Sequence, residues 1–185
     1  MRDCLNVFSE GMERVFLSLG SNVGDRESCM RQMLSGLRAV VGPDLQMSRL
    51  METEPVDVSD PQTWYLNLVV AGVFAGAASE LLEATRPIET ALGRTGKGTR
   101  APRSADIDIL ILGNQLVDLP HLRVPHPGIL HRRFVLQGLC DIDSEMLVPG
   151  YPDPVAQILR ASSEQVQRQQ IRFQDSASLL VKSPT

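Results

Sequence analysis

An α+β fold is what this chain predicts: an antiparallel sheet with helices packed on it, elements in the order βαββαβ, and further helices after them. Three observations carry the prediction. There are β-rich runs at 15–19, 66–74 and 105–112, stretches of helical spacing between them, and turn residues at the junctions. The chain of 185 residues is 43% hydrophobic and 22% charged, which suits one globular domain able to fold without staples.

The first strand, Val15-Phe16-Leu17-Ser18-Leu19, is expected to stop at a turn, Gly20-Ser21-Asn22. Asp25 then caps a helix in which Met30, Met33, Leu34, Leu37 and Val41 recur on one face until Gly42-Pro43 ends it. Residues 45–53 alternate loosely as a strand. Glu54-Pro55 opens an acidic loop containing Asp57, Asp60 and Pro61. The apolar run from Leu66 to Phe74 is a strong strand, and Leu81, Leu82, Thr85, Ile88 and Leu92 give the second helix, with Pro87 a potential kink and Gly93 its end. Ala105 to Leu112 is another strand, closed by Gly113-Asn114, with a short return strand starting at Val117. That order is the ferredoxin-like arrangement. Helices over about 129–140 and 154–161 follow. The expected organisation is an extension at 1–13, one domain at 14–161 and a polar tail at 162–185.

Composition removes several classes of function. A formal net charge of -4 opposes a general nucleic-acid binder. Cys4, Cys29 and Cys140 lack the spacing of a zinc site or disulfide framework. Charges and glycines break every apolar run of the N-terminus, and no run approaches the roughly 20 residues of a membrane span. A cytoplasmic protein is expected. A small surface without an exposed zipper pattern points to a monomer.

The chemistry is concentrated between Arg94 and Asp108. Residues two apart on a strand share a face, so Asp106 and Asp108 project side by side while Ile107, Ile109 and Ile111 face away. Paired carboxylates repel unless positive charge sits between them, and Mg²⁺ supplies such charge while taking its remaining ligands from water and phosphates. Just before them, residues 93–103 carry Arg94, Lys97, Arg100 and Arg103, three glycines and no acid. A mobile loop of forks and point charges beside two acids suits a polyphosphate bridged by metal. It is not a P-loop: Ala91 and Gly98 stand where that motif needs Gly and Ser or Thr. Further on, His126 lies between two prolines and Arg132 follows, each a possible phosphate donor. Tyr65 and Phe134 are candidate plates for a flat heterocycle.

Together these segments resemble the 6-hydroxymethyl-7,8-dihydropterin pyrophosphokinase family of folate biosynthesis over about residues 14–161. The pieces that carry the resemblance are Leu19-Gly20-Ser21-Asn22 with Gly24-Asp25-Arg26, Thr53 with Pro55, Tyr65-Leu66-Asn67, Ile88-Glu89, Gly93-Arg94, Pro102-Arg103, Asp106-Ile107-Asp108-Ile109, Val124-Pro125-His126, and Arg132 with Phe134-Val135-Leu136. The resemblance implies pyrophosphoryl transfer from ATP to a hydroxymethyl dihydropterin, releasing AMP, with two Mg²⁺ ions on Asp106 and Asp108. It implies that Arg94, Lys97, Arg103, His126 and Arg132 hold the triphosphate, with Glu89 at the same ATP and catalytic centre. Adenine would rest by Ile109 and Leu122, and the pterin among Thr53, Tyr65, Asn67 and Phe134. The chain departs from the family pattern at Ala101, where a loop tryptophan is common, and at Met51, Arg86 and Gly138, in place of an aromatic, a glutamine-like residue and a proline.

Overall fold

A computed structural model describes residues 11–56, 62–94, 102–175 and 179. Strand β1 (Met12–Ser21) leads to helix α1 (Arg26–Val41), strands β2 (Gln46–Met47), β3 (Leu50–Thr53) and β4 (Tyr65–Ala75), helix α2 (Ala78–Ala91) and strand β5 (Asp106–Leu112). A hairpin of β6 (Val117–Leu119) and β7 (Leu122–Val124), a 3-10 turn (Ile129–His131), and helices α3 (Arg133–Ile142), α4 (Val155–Ala161) and α5 (Glu164–Gln167) follow, and strand β8 (Ile171–Gln174) comes last. The main sheet runs β5-β1-β4-β3-β8, with β2 also on β4, and every pairing is antiparallel. Its first four strands reproduce the ferredoxin-like order.

Local chemistry explains the boundaries. The Asp25 side chain accepts from the Ser28 N–H at 2.9 Å, satisfying a free donor of the first turn of α1. The expected strand over 45–53 divides into β2 and β3 at Ser48, whose hydroxyl accepts the Val69 N–H at 3.0 Å. Helix α3 starts later than its apolar spacing suggests, because the chain first makes a 3-10 turn and passes Arg132 in extended conformation. Two further elements, α5 and β8, arise within the stretch read as a polar tail.

Two cores sit on opposite faces of the sheet. Val15, Leu17, Leu19, Leu68, Val70, Ile107 and Ile109 pack with α1 and α2. Phe16, Val69, Ala71, Leu110 and Ile111 pack with α3 and α4. Helices thus cover both faces, not one. Ile111 also departs from expectation, lying on the opposite face from Ile107 and Ile109. A β-bulge is the reason: Phe16 pairs Ile111 and Leu17 pairs Ile109, leaving Leu110 as the extra residue.

Two departures from the family pattern prove to be neighbours. A Cβ on Gly138 of α3 would come within 2.4 Å of the Val69 side chain and 3.4 Å of the Met51 Cε. Helix α3 can approach β4 this closely only without a side chain at 138, and the unbranched Met51 fills the space beside it. Arg86 pairs with Glu83 on the exposed side of α2.

Candidate active site

The end of the sheet face that α3 leaves uncovered is a cavity of about 300 Å³. Strand pairing fixes its floor. Asp106 lies opposite Gly20 and Asp108 opposite Ser18; Gly20 in turn lies opposite Asn67, and Tyr65 opposite Thr53. Partners in a sheet share a face, so these side chains converge without help from loops. Gly128, His131, Arg132 and Phe134 form another wall.

Gly20 and Ser21 are strand, not turn. A Cβ on Gly20 would come within 2.9 Å of the Asn67 Oδ1, so glycine here keeps the floor flat and leaves Asn67 room. Asn67 donates to the Thr53 Oγ1 at 2.7 Å. Its amide is held with its carbonyl oxygen towards Gly20, a fixed polar edge above the sheet.

The two acids sit in different charge environments. Asp106 accepts from Arg94 and, at 2.8 Å, from Arg103. Arg94 also pairs with Glu89, which is buried and accepts the Ile107 N–H at 2.9 Å. Burial pushes the Asp106 carboxyl up to about 6; Asp108 and Glu89 add to the rise, and Arg103 and Arg94 oppose it. Burial also works against the Arg103 charge, but Asp106, Tyr65 and Asp108 outweigh it and raise its pKa. Asp108 accepts from Arg132 at 3.1 Å and lies 4.0 Å from the His126 Nε2. The His126 Nδ1 accepts from the Gly128 N–H at 2.9 Å, which places the proton of the neutral ring on Nε2, towards Asp108. Burial lowers the His126 pKa, with Asp108 pulling it back up and Arg132 pressing it down.

The structure therefore brings together Thr53, Tyr65, Asn67, Arg103, Asp106, Asp108, Arg132 and Phe134 around one cavity, with Arg94 and His126 bonded to or facing its acids. Glu89 lies beneath the acids, bound to Arg94 and to the β5 backbone, and is absent from the cavity lining. Ile109 and Leu122 are not brought to the cavity either. Both side chains are buried in the core with α1 and α2: Ile109 because odd-numbered positions of β5 before the bulge face that side, and Leu122 from strand β7. Lys97, Ala101, Asp57 and Asp60 lie outside the described residues.

Several contributors were not among the expected site residues. Asn22, read as part of a turn, accepts the Arg103 N–H at 2.8 Å through its side chain, while its own N–H donates to the Arg103 carbonyl at 3.0 Å. This two-way clamp ties the end of the basic segment to β1. His131, Gln169, Gln170 and Ile171 also line the cavity. His131 sits in the 3-10 turn ahead of α3, and the other three come from a polar stretch with no period to read.

Residues 16–144 match the family model described as 7,8-dihydro-6-hydroxymethylpterin-pyrophosphokinase (HPPK). The 2-amino-4-hydroxy-6-hydroxymethyldihydropteridine pyrophosphokinase of Bacillus subtilis is 39% identical over 128 residues, 69% of this chain and 76% of its own length. The protein of that name from Porphyromonas gingivalis is 41% identical over 147 residues, 77% of this chain and 99% of its own. Among solved structures, wild-type Plasmodium falciparum HPPK-DHPS with pteroate superposes with a TM-score of 0.63 over 80% of this chain. At 13% identity that likeness speaks for the fold alone, and this chain spans 44% of the solved one.

Proposed function

The chain belongs to the 7,8-dihydro-6-hydroxymethylpterin-pyrophosphokinase family, and on that premise we propose how its residues divide the work. The reaction is ATP-dependent pyrophosphoryl transfer to 6-hydroxymethyl-7,8-dihydropterin in folate biosynthesis. The observation that carries the assignment of roles is the polarity of the cavity. Asp106, Asp108, Arg103 and Arg132 gather at the β5 side, Asn67 and Thr53 stand further across the sheet on β4 and β3, Tyr65 reaches Arg103 between them, and Phe134 is on the α3 wall.

The donor set fits magnesium. Two carboxylates share one strand face, and no group of three or more His, Cys, Asp or Glu able to hold a metal exists among the described residues. Such a site must draw its other ligands from water and substrate, which is how Mg²⁺ is held with nucleotides. Asp106 and Asp108 would hold two ions, and bound there the metal supplies Lewis-acid neutralisation of the phosphate oxygens.

The arginines do the remaining electrostatic work. Arg94, Arg103 and Arg132 are the counter-ions of the two acids, so a metal on Asp106 and Asp108 frees their guanidinium forks for phosphate oxygens. His126 offers its Nε2–H to the same group, and Lys97 serves as a further cation. Glu89 orients Arg94 instead of meeting the nucleotide. Tyr65 and Phe134 flank the pterin ring, and Asn67, held by Thr53, reads its polar edge. This arrangement orients the hydroxymethyl oxygen towards the phosphates, and phosphoryl-type transfer depends chiefly on positioning and charge stabilisation. We read the enzyme as a monomer acting in the cytoplasm on these two substrates, with no nucleic-acid partner and with a pyrophosphokinase domain that runs past the expected end at 161 to include β8 of the same sheet. No helix among the described residues is long and apolar enough to cross a membrane.

Product analysis tests the reaction. With ATP, Mg²⁺ and hydroxymethyl dihydropterin the chain forms AMP and the pterin diphosphate, and without pterin it forms neither. Appearance of ADP and phosphate irrespective of pterin would refute the reading in favour of a phosphohydrolase.

The pH profile follows from Asp106. With its carboxyl at about 6 in the metal-free protein, protonation competes with metal. At limiting Mg²⁺ the rate should fall about tenfold per pH unit below the pKa, and excess Mg²⁺ should move this acid limb to lower pH. An acid limb that ignores Mg²⁺ concentration assigns the titration to another group.

A further inference from the structure

One wall of the cavity is made by a segment beyond the stretch that matches the family. Residues 16–144 match the family model, yet Gln169, Gln170 and Ile171 line the cavity. Crossing the sheet from β5 to β8 takes four inter-strand steps of about 4.8 Å, so β8 stands roughly 19 Å from the strand of Asp106 and Asp108. Its nearest neighbour is β3. There Ile171 lies directly opposite Thr53, so the two side chains share the cavity face.

The segment is tied down at several points. The Gln169 side chain accepts the Arg133 N–H at 2.8 Å and donates to the His131 carbonyl at 2.8 Å. The Gln170 N–H donates to the Glu54 carboxylate at 2.9 Å. Within β8, Arg172 stacks on Trp64 at 4.0 Å on one face of the sheet, and Phe173 lies under Arg49 at 3.8 Å on the other. The Gln169 bonds join this segment to the start of α3, which carries Phe134. One piece of chain thus links β3, with Thr53, to the wall that holds Phe134.

We propose that the segment from Gln169 to β8 is a substrate-binding wall, with Ile171 packing against the pterin ring beside Thr53. The proposal rests on the pterin reading above and extends it to a residue which that reading does not include. An aliphatic side chain there removes water from one edge of a flat heterocycle whose faces meet Tyr65 and Phe134. Because Ile171 is on the strand at the far end of the sheet from the acids, its side chain acts on pterin affinity and leaves the nucleotide alone.

Steady-state kinetics on Ile171→Ala and Ile171→Val tests this. Removing the outer carbons of Ile171 should raise KM for the pterin about tenfold, while KM for ATP and kcat stay within about twofold. The valine variant should recover most of the loss. Trp64, the single tryptophan of the chain, allows thermal unfolding of each variant to be followed by fluorescence, so a folding defect is seen separately. Unchanged pterin KM in a folded Ile171→Ala would overturn the proposal, as would equal losses for both substrates, which would make β8 a general prop. Calorimetric titration with hydroxymethyl dihydropterin reads the same contrast as Kd without turnover. Absence of AMP formation by the unaltered chain would refute the reaction, whereas an active parent with an indifferent Ile171→Ala would refute only the wall.

Discussion

Asp106→Asn lowers the pyrophosphoryl-transfer rate by about a thousand-fold, and Asp108→Asn does the same, because each removes an anionic ligand that only metal-bridged phosphate can use. Asparagine keeps the shape, but it has one acceptor oxygen where Asp106 offers Oδ1 to Arg94 and Oδ2 to Arg103, so one arginine keeps its partner and the other meets an NH2 donor. The stability effect at position 106 has the opposite sense. The Asp106 carboxyl is raised from its ordinary value to about 6 in the folded protein, chiefly by burial. A group raised in this way favours the fold below its unfolded pKa and loses that contribution as pH climbs towards 6. At pH 7 without metal the ionised carboxylate therefore works against folding. The stability of Asp106→Asn should lack the parent's decline between pH 4 and 6, because the titrating carboxyl is gone. Stopped-assay kinetics and melts across that range measure both. A rate within tenfold of the parent would remove Asp106 from the metal centre.

Arg94→Ala is the substitution with the largest expected cost in stability. The Arg94 side chain is 9% exposed and lies between the Glu89 carboxylate, 3% exposed, and Asp106. Breaking a buried ion pair by removing one partner typically costs about 3–5 kcal/mol, since the remaining charge stays buried. For a chain of this size that corresponds to a fall of roughly 10 °C in Tm. The Asp106 pKa should rise further, with one of its two opposing cations gone. Activity should fall as well, because Arg94 is assigned to phosphate. The two effects can be separated with Arg94→Ala plus Glu89→Gln. Neutralising Glu89 should restore much of the melting temperature, since its amide can still accept the Ile107 N–H, and should restore none of the rate. A double variant as unstable as the single one would show that Glu89 is not the charge that Arg94 compensates.

The acids were legible in the sequence because strand alternation alone puts Asp106 and Asp108 on one face, and no tertiary detail is needed to see it. The two helices were legible for the same kind of reason: Met30, Leu34 and Leu37, or Leu81 and Thr85, recur at helical spacing. Reading failed where a residue's meaning depends on what lies across the sheet. Gly20-Ser21-Asn22 has the composition of a turn, yet Gly20 is extended because Asn67 occupies the space above it. Ile111 looks from its parity to share a face with Ile107 and Ile109, but the bulge set by pairing with β1 turns it to the other core. The β8 strand is four residues long and follows a polar stretch. Its stability comes from pairing with β3 and from Trp64 and Arg49, which lie far away in the chain.

The bulge at Leu110 gives strand β5 two phases. Up to Asp108 the even-numbered residues face the cavity, and beyond Leu110 the parity reverses, with Ile111 joining Phe16 in the core under α3. The working half of the strand is thereby insulated from the structural half: a shift in how the apolar end packs can be absorbed at the extra residue before it turns the carboxylates. An insertion or deletion at Leu110 would have no such refuge. It would force a choice between keeping Asp106 and Asp108 in place and keeping Ile111 and Leu112 in their separate cores, so length changes at this point should be far less tolerated than substitutions.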